Sequence, residues 1–171
     1  MSTEAPHPRV GVAAIIYNRN RPGQFITGKR IGSHGADTIQ LPGGHLEYGE
    51  SFLACAERET LEETGLKVRA IKHVATTNDV FEKEKKHYIT IFIHCEMLDV
   101  HAEPKVLEPQ KCAGWYWASW DDLKKINAWG GGATKLFLPL INLLAQPDGI
   151  ESPEQLRELG EAKEPKELEE P

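Results

Sequence analysis

The sequence predicts a single α/β domain, and three observations lead to this prediction. The 171 residues, 40% of them hydrophobic, suffice for one hydrophobic core but leave no room for a second full domain. Runs of β-branched and aromatic residues indicate several strands, and a capped amphipathic segment indicates a helix between them. Near residue 146 the composition changes to charged residues and proline. We therefore expect a flexible N-terminus over residues 1–8, the folded domain over 9–145, and an acidic, disordered tail over 146–171.

Two strands and a long loop are predicted in the first part of the chain. Residues 10–17 (VGVAAIIY) form an apolar, β-branched run, and residues 24–29 (QFITGK) are typical of the strand that returns from a turn, so we expect a hairpin. Residues 32–44 are rich in Gly, Pro, Asp and Ser, which favour loops, and a short extended piece is expected at 38–41. This loop leads into the acidic segment of the chain.

The next predicted element is a helix of about 13 residues, a usual length for a helix. Ser51 has the side chain of an N-cap, and Gly65 stands where a left-handed residue commonly ends a helix. Further strands are indicated by β-branched and aromatic runs, and Ser119 is suited to cap a short helix. The expected elements are strands at 67–78, 87–98 and 114–120, a short helix at 121–125, a glycine-rich break, and a terminal helix at 135–144.

The composition argues against several classes of protein. The formal net charge of −6 disfavours a protein that wraps the nucleic acid backbone, because such proteins need a basic surface. No segment has the apolar run of a signal peptide or of a membrane span, so we expect a soluble, intracellular protein without membrane contact. Three cysteines, Cys55, Cys95 and Cys112, are odd in number and widely spaced, which predicts free, buried thiols.

Three acidic side chains crowd one face of the predicted helix. At about 100° per residue, Glu59, Glu62 and Glu63 fall within an arc of about 100°. A solvated helix face usually pairs Glu with Lys or Arg four residues away, but the residue four positions after Glu59 is Glu63, and like charges at this spacing repel. A solvated face and a metal site both stay open as interpretations at this point. Hard carboxylate oxygens favour Mg²⁺ or Mn²⁺, which would also bridge to phosphate oxygens.

The acidic segment carries a recognisable motif. Its residues are Gly44, Glu50, Arg58, Glu59, Glu62, Glu63, Gly65 and Leu66. Their spacing, G-x5-E-x7-R-E-U-x-E-E-x-G-U with U a bulky apolar residue, resembles the Nudix box. One departure is Thr60, which stands at the first apolar position. The resemblance extends over about residues 9–144 and includes similarity to the cytosolic, MutT-like nucleoside triphosphate diphosphatases of eukaryotes.

This resemblance implies a fold and an activity. The implied Nudix fold is a mixed β-sheet sandwiched between α-helices, with the box forming a loop-helix-loop catalytic motif. The implied activity is Mg²⁺-dependent hydrolysis, with Mn²⁺ as a substitute, of a nucleoside triphosphate to monophosphate and pyrophosphate by attack of water on phosphorus. The expected substrate is dGTP-like or an oxidised purine nucleotide such as 8-oxo-dGTP. Similarity to cytosolic relatives that dimerise implies a cytoplasmic homodimer.

The resemblance also implies roles for residues of the box. Glu59 and Glu63 are expected to bind the metal, and Glu62 is expected to join them or to act as general base. The choice of base between Glu62 and Glu63 stays open, because crowded carboxylates titrate together. Arg58 is expected to hold the glutamates by charge-assisted hydrogen bonds. The backbone carbonyl of Gly44 is expected as a further metal ligand.

Residues outside the helix are implied as well. Glu108, in a later loop, is a candidate for a distal metal-binding carboxylate, and Glu50 is expected to anchor the loop before the helix. Arg30 could reach the phosphates or face solvent. For substrate binding, the resemblance points to Arg30, Gln40, Leu41, Gly43, His45, Thr90, Phe137 and Leu138.

Two other functions stay open on sequence alone. Plant relatives with similar boxes act on prenyl diphosphates, and the apolar Leu138, at a place where animal relatives carry Trp, is compatible with such a substrate because an aromatic stacking face is lost. A non-catalytic Nudix binding module is the other, although it would not need the self-repelling carboxylates that flank Arg58. Either enzyme would act on a small diphosphate, and neither needs a nucleic acid polymer or a membrane as partner.

Overall fold

The structure is a computed structural model. It describes residues 7–32, 34–130 and 132–147. The predicted N-terminal segment 1–8 and the predicted tail 146–171 therefore lie outside the described residues, apart from two residues of each. Ser33, in the predicted loop, and Gly131, in the predicted glycine-rich break, also lie outside them.

The described residues form eight strands and three helices. They are β1 (Arg9–Tyr17), β2 (Gln24–Arg30), β3 (Thr38–Gln40), β4 (Gly43–His45), α1 (Phe52–Thr64), β5 (Val68–Phe81), β6 (Lys86–Met97), β7 (Cys112–Ser119), α2 (Trp120–Ala128), β8 (Lys135–Leu136) and α3 (Leu138–Leu144).

β1 is the central strand of a mixed sheet. It pairs in parallel with β6 over its whole length, antiparallel with β4, and antiparallel with β2 where Tyr17 lies opposite Phe25. The strand order is β5-β6-β1-β2-β3-β8, with β4 paired to β1 and β7 paired to β2. The parallel pairing places β1 beside β6, which is far from β1 in the sequence.

Helices cover both faces of this sheet. Successive residues of a strand point to opposite faces, and β1 buries Val12, Ala14 and Ile16 in a core cluster that also contains side chains of α1. Ile15 and Tyr17 belong to a second cluster, which contains side chains of α2 and α3. The predicted α/β fold, a mixed sheet between helices, is therefore confirmed.

The predicted caps and thiols are confirmed by their contacts. The Ser51 side chain accepts a hydrogen bond from the backbone N–H of Ala54 at 3.1 Å, and Gly65 ends α1 with φ +72°. All three cysteines are free and buried. Among the described residues, no helix combines the length and the apolar character needed to cross a membrane.

The predicted terminal helix is wrong at its start. Lys135–Leu136 form β8, which pairs in parallel with β3, and the backbone N–H of Phe137 donates to the carbonyl of Ile39 at 2.9 Å. Proline fits the first turn of a helix, where no N–H is needed, and Pro139 accordingly lies at the beginning of α3. The residues before α3 therefore pair with the edge of β3 and belong to the sheet.

Other predicted boundaries also shift because of sheet pairing. The charged turn between β5 and β6 covers only residues 82–85, since the strands continue to Phe81 and start again at Lys86. The glycine-rich β4 was predicted as loop, yet it pairs with β1. The predicted hairpin of β1 and β2 is short, and β2 pairs mainly with β7.

Two strand glycines offer a test of packing. A Cβ at Gly28 would lie 2.5 Å from the ring of Trp115, whereas a Cβ at Gly11 would meet its nearest atoms at 3.8 to 4.0 Å. Gly28→Ala is expected to lower the free energy of unfolding by about 2 kcal/mol, because Trp115 must move. Gly11→Ala is expected to change it by less than about 0.5 kcal/mol or to stabilise the strand. Urea unfolding of both variants measures the difference, and equal losses would contradict this account.

Candidate active site

A cavity of about 500 Å³ brings most predicted site residues together. Its walls come from α1, α3 and several strands of the sheet. The predicted residues that line it are Arg30, Gln40, Leu41, Gly43, Gly44, His45, Arg58, Glu59, Glu62, Glu63, Thr90 and Phe137. Leu138 and Glu108 are not among the described residues that line it.

Arg58 makes several hydrogen bonds at the polar end of the cavity, which is the end lined by Glu59, Glu62 and Glu63. Its Nε and Nη2 donate to the two carboxylate oxygens of Glu50 at 2.8 and 3.0 Å. Its Nη1 donates to Glu59 at 2.7 Å and to Glu62 at 3.3 Å, and Nη2 also donates to the backbone carbonyl of His45 at 3.1 Å. One guanidinium therefore joins three carboxylates of the box to β4.

The bidentate pair of Glu50 and Arg58 is strongly charge-assisted. Hydrogen bonds from Arg58 lower the pKa of Glu50 to about 2, and a hydrogen bond from the backbone N–H of Glu47 adds to the effect. The same contact raises the pKa of Arg58 above its ordinary value. Glu50 therefore anchors the loop before α1, as the sequence resemblance implied.

Glu63 has a different environment, since its side chain is buried. Its carboxylate accepts a hydrogen bond from the backbone N–H of Gly43 at 3.0 Å. Burial raises the pKa of Glu63 to about 7, the negative charges of Glu59 and Glu108 act in the same direction, and the Gly43 hydrogen bond opposes them. Burial therefore favours the protonated carboxyl, and a bound cation beside it would favour the ionised form.

Two glycines allow close packing on the two sides of β4. A Cβ at Gly44 would overlap the carboxylate of Glu59, and a Cβ at Gly43 would overlap the carbonyl oxygen of Val12. Gly43 also has φ +156°, a conformation that side-chain-bearing residues rarely adopt. α1 can therefore bring its glutamates directly against the backbone of β4.

The other end of the cavity is aromatic, and the sequence analysis missed most of it. The rings of Phe81 and Phe137 are 5.3 Å apart, His34 lies 4.5 Å from Phe81, and Tyr88 lies 6.0 Å from Phe81. The guanidinium of Arg30 lies over the ring of Phe137 at 4.2 Å. These residues come from separate segments, so nothing in their spacing along the chain indicates that they meet.

Two predicted substrate-binding side chains are engaged with the protein itself. Arg30 donates to the amide oxygen of Gln40. The hydroxyl of Thr90 donates to the buried carboxylate of Asp79 at 2.6 Å, and the amide of Asn142 donates to the same carboxylate at 2.8 Å. Asp79 thereby ties the cavity wall in β6 to α3.

Two more contacts complete the cavity. The ring of His45 is within hydrogen-bond distance of the Tyr88 hydroxyl, at 3.2 Å. Lys111, a cavity residue that the sequence analysis did not single out, forms an ion pair with Glu108 at 2.9 Å. Glu108 is therefore paired with a lysine, although it is near enough for its charge to raise the pKa of Glu63.

Comparison with known proteins is consistent with this geometry. A family model described as the NUDIX domain matches residues 7–137. A MutT Nudix hydrolase from Burkholderia pseudomallei is 26% identical, with a TM-score of 0.59 over 67% of this chain and 85% of that one. A MutT protein from Methanosarcina mazei Go1 is also 26% identical, with a TM-score of 0.60 over 74% and 86%. The E. coli ORF135 protein, at 23% identity, shares the fold over 94% and 96% with a TM-score of 0.60.

The site and these matches define a class of protein, the Nudix pyrophosphohydrolases. The chain belongs to the Nudix family. The family and the enzyme class predicted from the sequence are thereby confirmed. Nudix hydrolases act on small-molecule substrates and generally use a divalent metal ion.

The donor set of the box fits such an ion chemically. Glu59, Glu62 and Glu63 offer hard carboxylate oxygens on one side of α1, and the missing Cβ of Gly44 exposes backbone beside them. In the side-chain positions of the described residues, no three His, Cys, Asp or Glu groups are arranged to hold a metal. Arg58 engages Glu59 and Glu62 instead. The metal-ligand roles therefore stay predictions.

Removal of the Glu50 charge tests the anchoring role. Glu50→Gln is expected to lower the free energy of unfolding by about 2 kcal/mol near pH 7, because Arg58 loses a carboxylate partner. The pKa of Glu50 is about 2 in the folded protein against an ordinary value of 4.5. Its stabilisation is therefore present above about pH 4.5 and is lost as the pH falls towards 2. Urea unfolding near pH 7 and near pH 3 should show a smaller difference at the lower pH.

A matched control comes from an exposed ion pair. Arg21 and Glu103 are 3.4 Å apart, and both side chains are largely exposed. Glu103→Gln is expected to cost less than about 0.5 kcal/mol at either pH. A Glu50→Gln loss that is as small as this, or that does not depend on pH, would refute the anchoring role.

Proposed function

We propose that this Nudix hydrolase cleaves a nucleoside triphosphate, dGTP-like or an oxidised purine nucleotide such as 8-oxo-dGTP, to the monophosphate and pyrophosphate. The observation that carries the proposal is the two-ended cavity. Its polar end presents the carboxylates of α1, and its aromatic end offers rings against which a base can pack. Similarity to cytosolic eukaryotic MutT-like enzymes supports the same substrate class.

The proposed metal is Mg²⁺, with Mn²⁺ as a substitute. Glu59 and Glu63 would hold it, together with the carbonyl of Gly44 and with Glu62 where that residue is not the base. Glu108 is proposed as a distal ligand once it leaves Lys111. Bound there, the ion would supply positive charge that screens the phosphate chain and activates water.

The residues of the chain supply positioning and proton transfer. Glu63 is one candidate for the base, because its carboxylate lines the cavity together with Glu59 and Glu62. Glu62, more exposed and bound to Arg58 at 3.3 Å, is the other candidate for the base. Arg58 is a positioning residue, since its donors hold Glu50 and Glu59 in fixed orientations.

The substrate is proposed to lie along the cavity. Arg30 lines the cavity with its guanidinium over the ring of Phe137, and its remaining donors are proposed to bind a phosphate. The backbone at Gly43 allows close approach of the phosphate chain. The remaining proposed contacts to the organic group are Gln40, Leu41, His45, Thr90, Phe137 and Leu138, of which Leu138 would have to contribute from outside the lining.

A second candidate substrate is a prenyl diphosphate. The observation that favours it is an apolar wall formed by Leu41, Phe92 and Leu140, all buried and all lining the cavity. An apolar chain would pack against this wall without hydrogen bonds. The polar groups at the aromatic end favour the nucleotide.

Three further properties belong to this proposal. We propose that residues 9–145 form the catalytic domain and that residues 146–171 are an appended acidic tail. We also propose a cytoplasmic location and a homodimer, both from the resemblance to cytosolic relatives. The state of assembly is checked by light scattering on the full chain.

The proposed substrate is tested by product analysis. The full chain is incubated with Mg²⁺ and, separately, with dGTP, 8-oxo-dGTP, dCTP, ADP-ribose and geranyl diphosphate. Ion-exchange chromatography should show monophosphate and pyrophosphate from the purine triphosphates, at a rate well above that for the other compounds. Turnover of geranyl diphosphate alone would move the function to prenyl diphosphates and refute the proposal.

The proposed carboxylate roles are tested by isosteric variants. Glu59→Gln and Glu63→Gln are each expected to lower kcat by at least about a hundredfold, because an amide binds a hard cation poorly and accepts no proton. Glu57→Gln is the matched control on the same helix, since Glu57 is exposed and only accepts a hydrogen bond from Ala70 at 2.9 Å. Steady-state kinetics on dGTP gives the comparison. Full turnover in either of the first two variants would refute the assignment.

A further inference from the structure

His34 is a polar residue without a visible polar role at the aromatic end of the cavity. Both ring nitrogens are buried, and neither has a hydrogen-bond partner among the described residues. The ring lines the cavity with Phe81, Tyr88 and Phe137. Buried polar atoms are nearly always paired in folded proteins, so an unpaired imidazole at a ligand cavity requires an explanation.

The position of His34 is fixed by its neighbours. The Nε of Arg30 donates to the backbone carbonyl of His34 at 3.0 Å. The next residue, Gly35, has φ +70°, and a Cβ there would lie 2.5 Å from the ring of Phe137. The backbone of His34 and Gly35 is therefore held closely against Arg30 and Phe137, and the side chain of His34 lines the cavity.

The environment of His34 favours the neutral imidazole. Burial lowers the pKa of His34, and the positive charges of Lys86 and Arg30 lower it further, with Glu84 opposing them. A neutral imidazole has one N–H donor and one nitrogen acceptor. The terminal torsion of a histidine side chain is soft, so a small rotation can turn either nitrogen towards a ligand.

We propose that His34 is a specificity-determining residue, which hydrogen-bonds the edge of a heteroaromatic ring seated beside Phe81 and Phe137. This inference rests on the proposed function and assigns to one residue the choice between a base and an apolar group. A base offers ring nitrogens and exocyclic groups that pair with the imidazole, whereas a prenyl chain offers none. A prenyl group would leave the buried polar atoms of His34 unpaired, and sites built to bond a polar group discriminate strongly against analogues that lack it.

The alternative is that His34 only fills space between aromatic rings. The ring contacts at 4.5 Å to Phe81 and 5.5 Å to Phe137 would satisfy that role. Leucine fills similar space without burying unpaired nitrogens, so a space-filling role predicts that leucine works equally well. The two explanations therefore differ in what His34→Leu does to ligand binding.

The experiment uses the full chain and binding of dGMP, which carries a base but no pyrophosphate bond to cleave. Isothermal titration calorimetry compares wild type with His34→Leu. The expected result is at least a tenfold increase in the Kd for dGMP. The Kd for inorganic pyrophosphate, which occupies only the polar end, should stay within about twofold. Because leucine removes two buried unpaired polar atoms, the Tm should equal or exceed that of wild type.

Matched variants separate hydrogen bonding from shape. His34→Asn and His34→Gln place an amide near the position of Nδ1 and Nε2 respectively, and one of them should recover part of the affinity for dGMP. His101→Leu removes an exposed histidine in the loop after β6 and should change neither Kd. In kinetics, His34→Leu should lower kcat/KM for dGTP at least tenfold and leave that for geranyl diphosphate unchanged or raised.

The outcomes separate this inference from the proposed function. An unchanged Kd for dGMP in His34→Leu, or an equal loss of pyrophosphate affinity, overturns the role of His34 while turnover of dGTP by wild type keeps the proposed function. Dependence of dGMP binding on His34 without any turnover of dGTP supports the role of His34 and overturns the proposed function. Absence of both dGMP binding and dGTP turnover in wild type overturns both.

Discussion

The interaction on which the site depends is the set of hydrogen bonds made by Arg58. Its guanidinium binds Glu50, Glu59 and Glu62 and also the carbonyl of His45. Without this cation, the glutamates of α1 and of the preceding loop would repel one another in a partly buried place, where screening by water is weak. With it, the loop, the helix and β4 are joined at one point. The repulsion that the sequence implied is therefore reduced by a cation shared among three carboxylates, while Glu63 accepts a hydrogen bond from the backbone N–H of Gly43 instead.

A second constraint follows from close backbone approach. The carboxylate of Glu59 reaches β4 because Gly44 has no Cβ, and β4 can lie against β1 because Gly43 has none. The parallel pairing of β1 with β6 then sets Thr90 and Tyr88 beside the same cavity. The reactive groups and the aromatic wall are thus placed by sheet pairing of segments distant in sequence. A change in the register of β1 would move both ends of the cavity relative to each other.

The sequence predicted the elements that have local signals. It failed for elements whose conformation depends on pairing with distant strands or side chains. The two ends of α1 are predictable from Ser51 and Gly65, because capping uses groups within a few residues. β4 and β8 have three and two residues, too few for any periodicity, and they are strands only because β1 and β3 offer them open edges. Aspartate is common in turns, yet Asp79 lies in β5, where Thr90 and Asn142 donate hydrogen bonds to its carboxylate. No local sequence pattern reveals these two contacts.

The same distinction explains how much of the site could be predicted. The carboxylates of Glu59, Glu62 and Glu63 lie close together on one helix. Their spacing in the sequence therefore determines their arrangement in space. The groups that we propose for contact with the organic part of the substrate, such as His34, Phe81 and Tyr88, line the cavity from three segments and meet only in the fold. A motif of this kind therefore specifies the bond to be broken and leaves the substrate open, since one scaffold can change its dispersed contacts while keeping its helix. In this chain, the groups that choose the substrate must accordingly be sought at the aromatic end of the cavity, where the imidazole of His34 lies among aromatic rings.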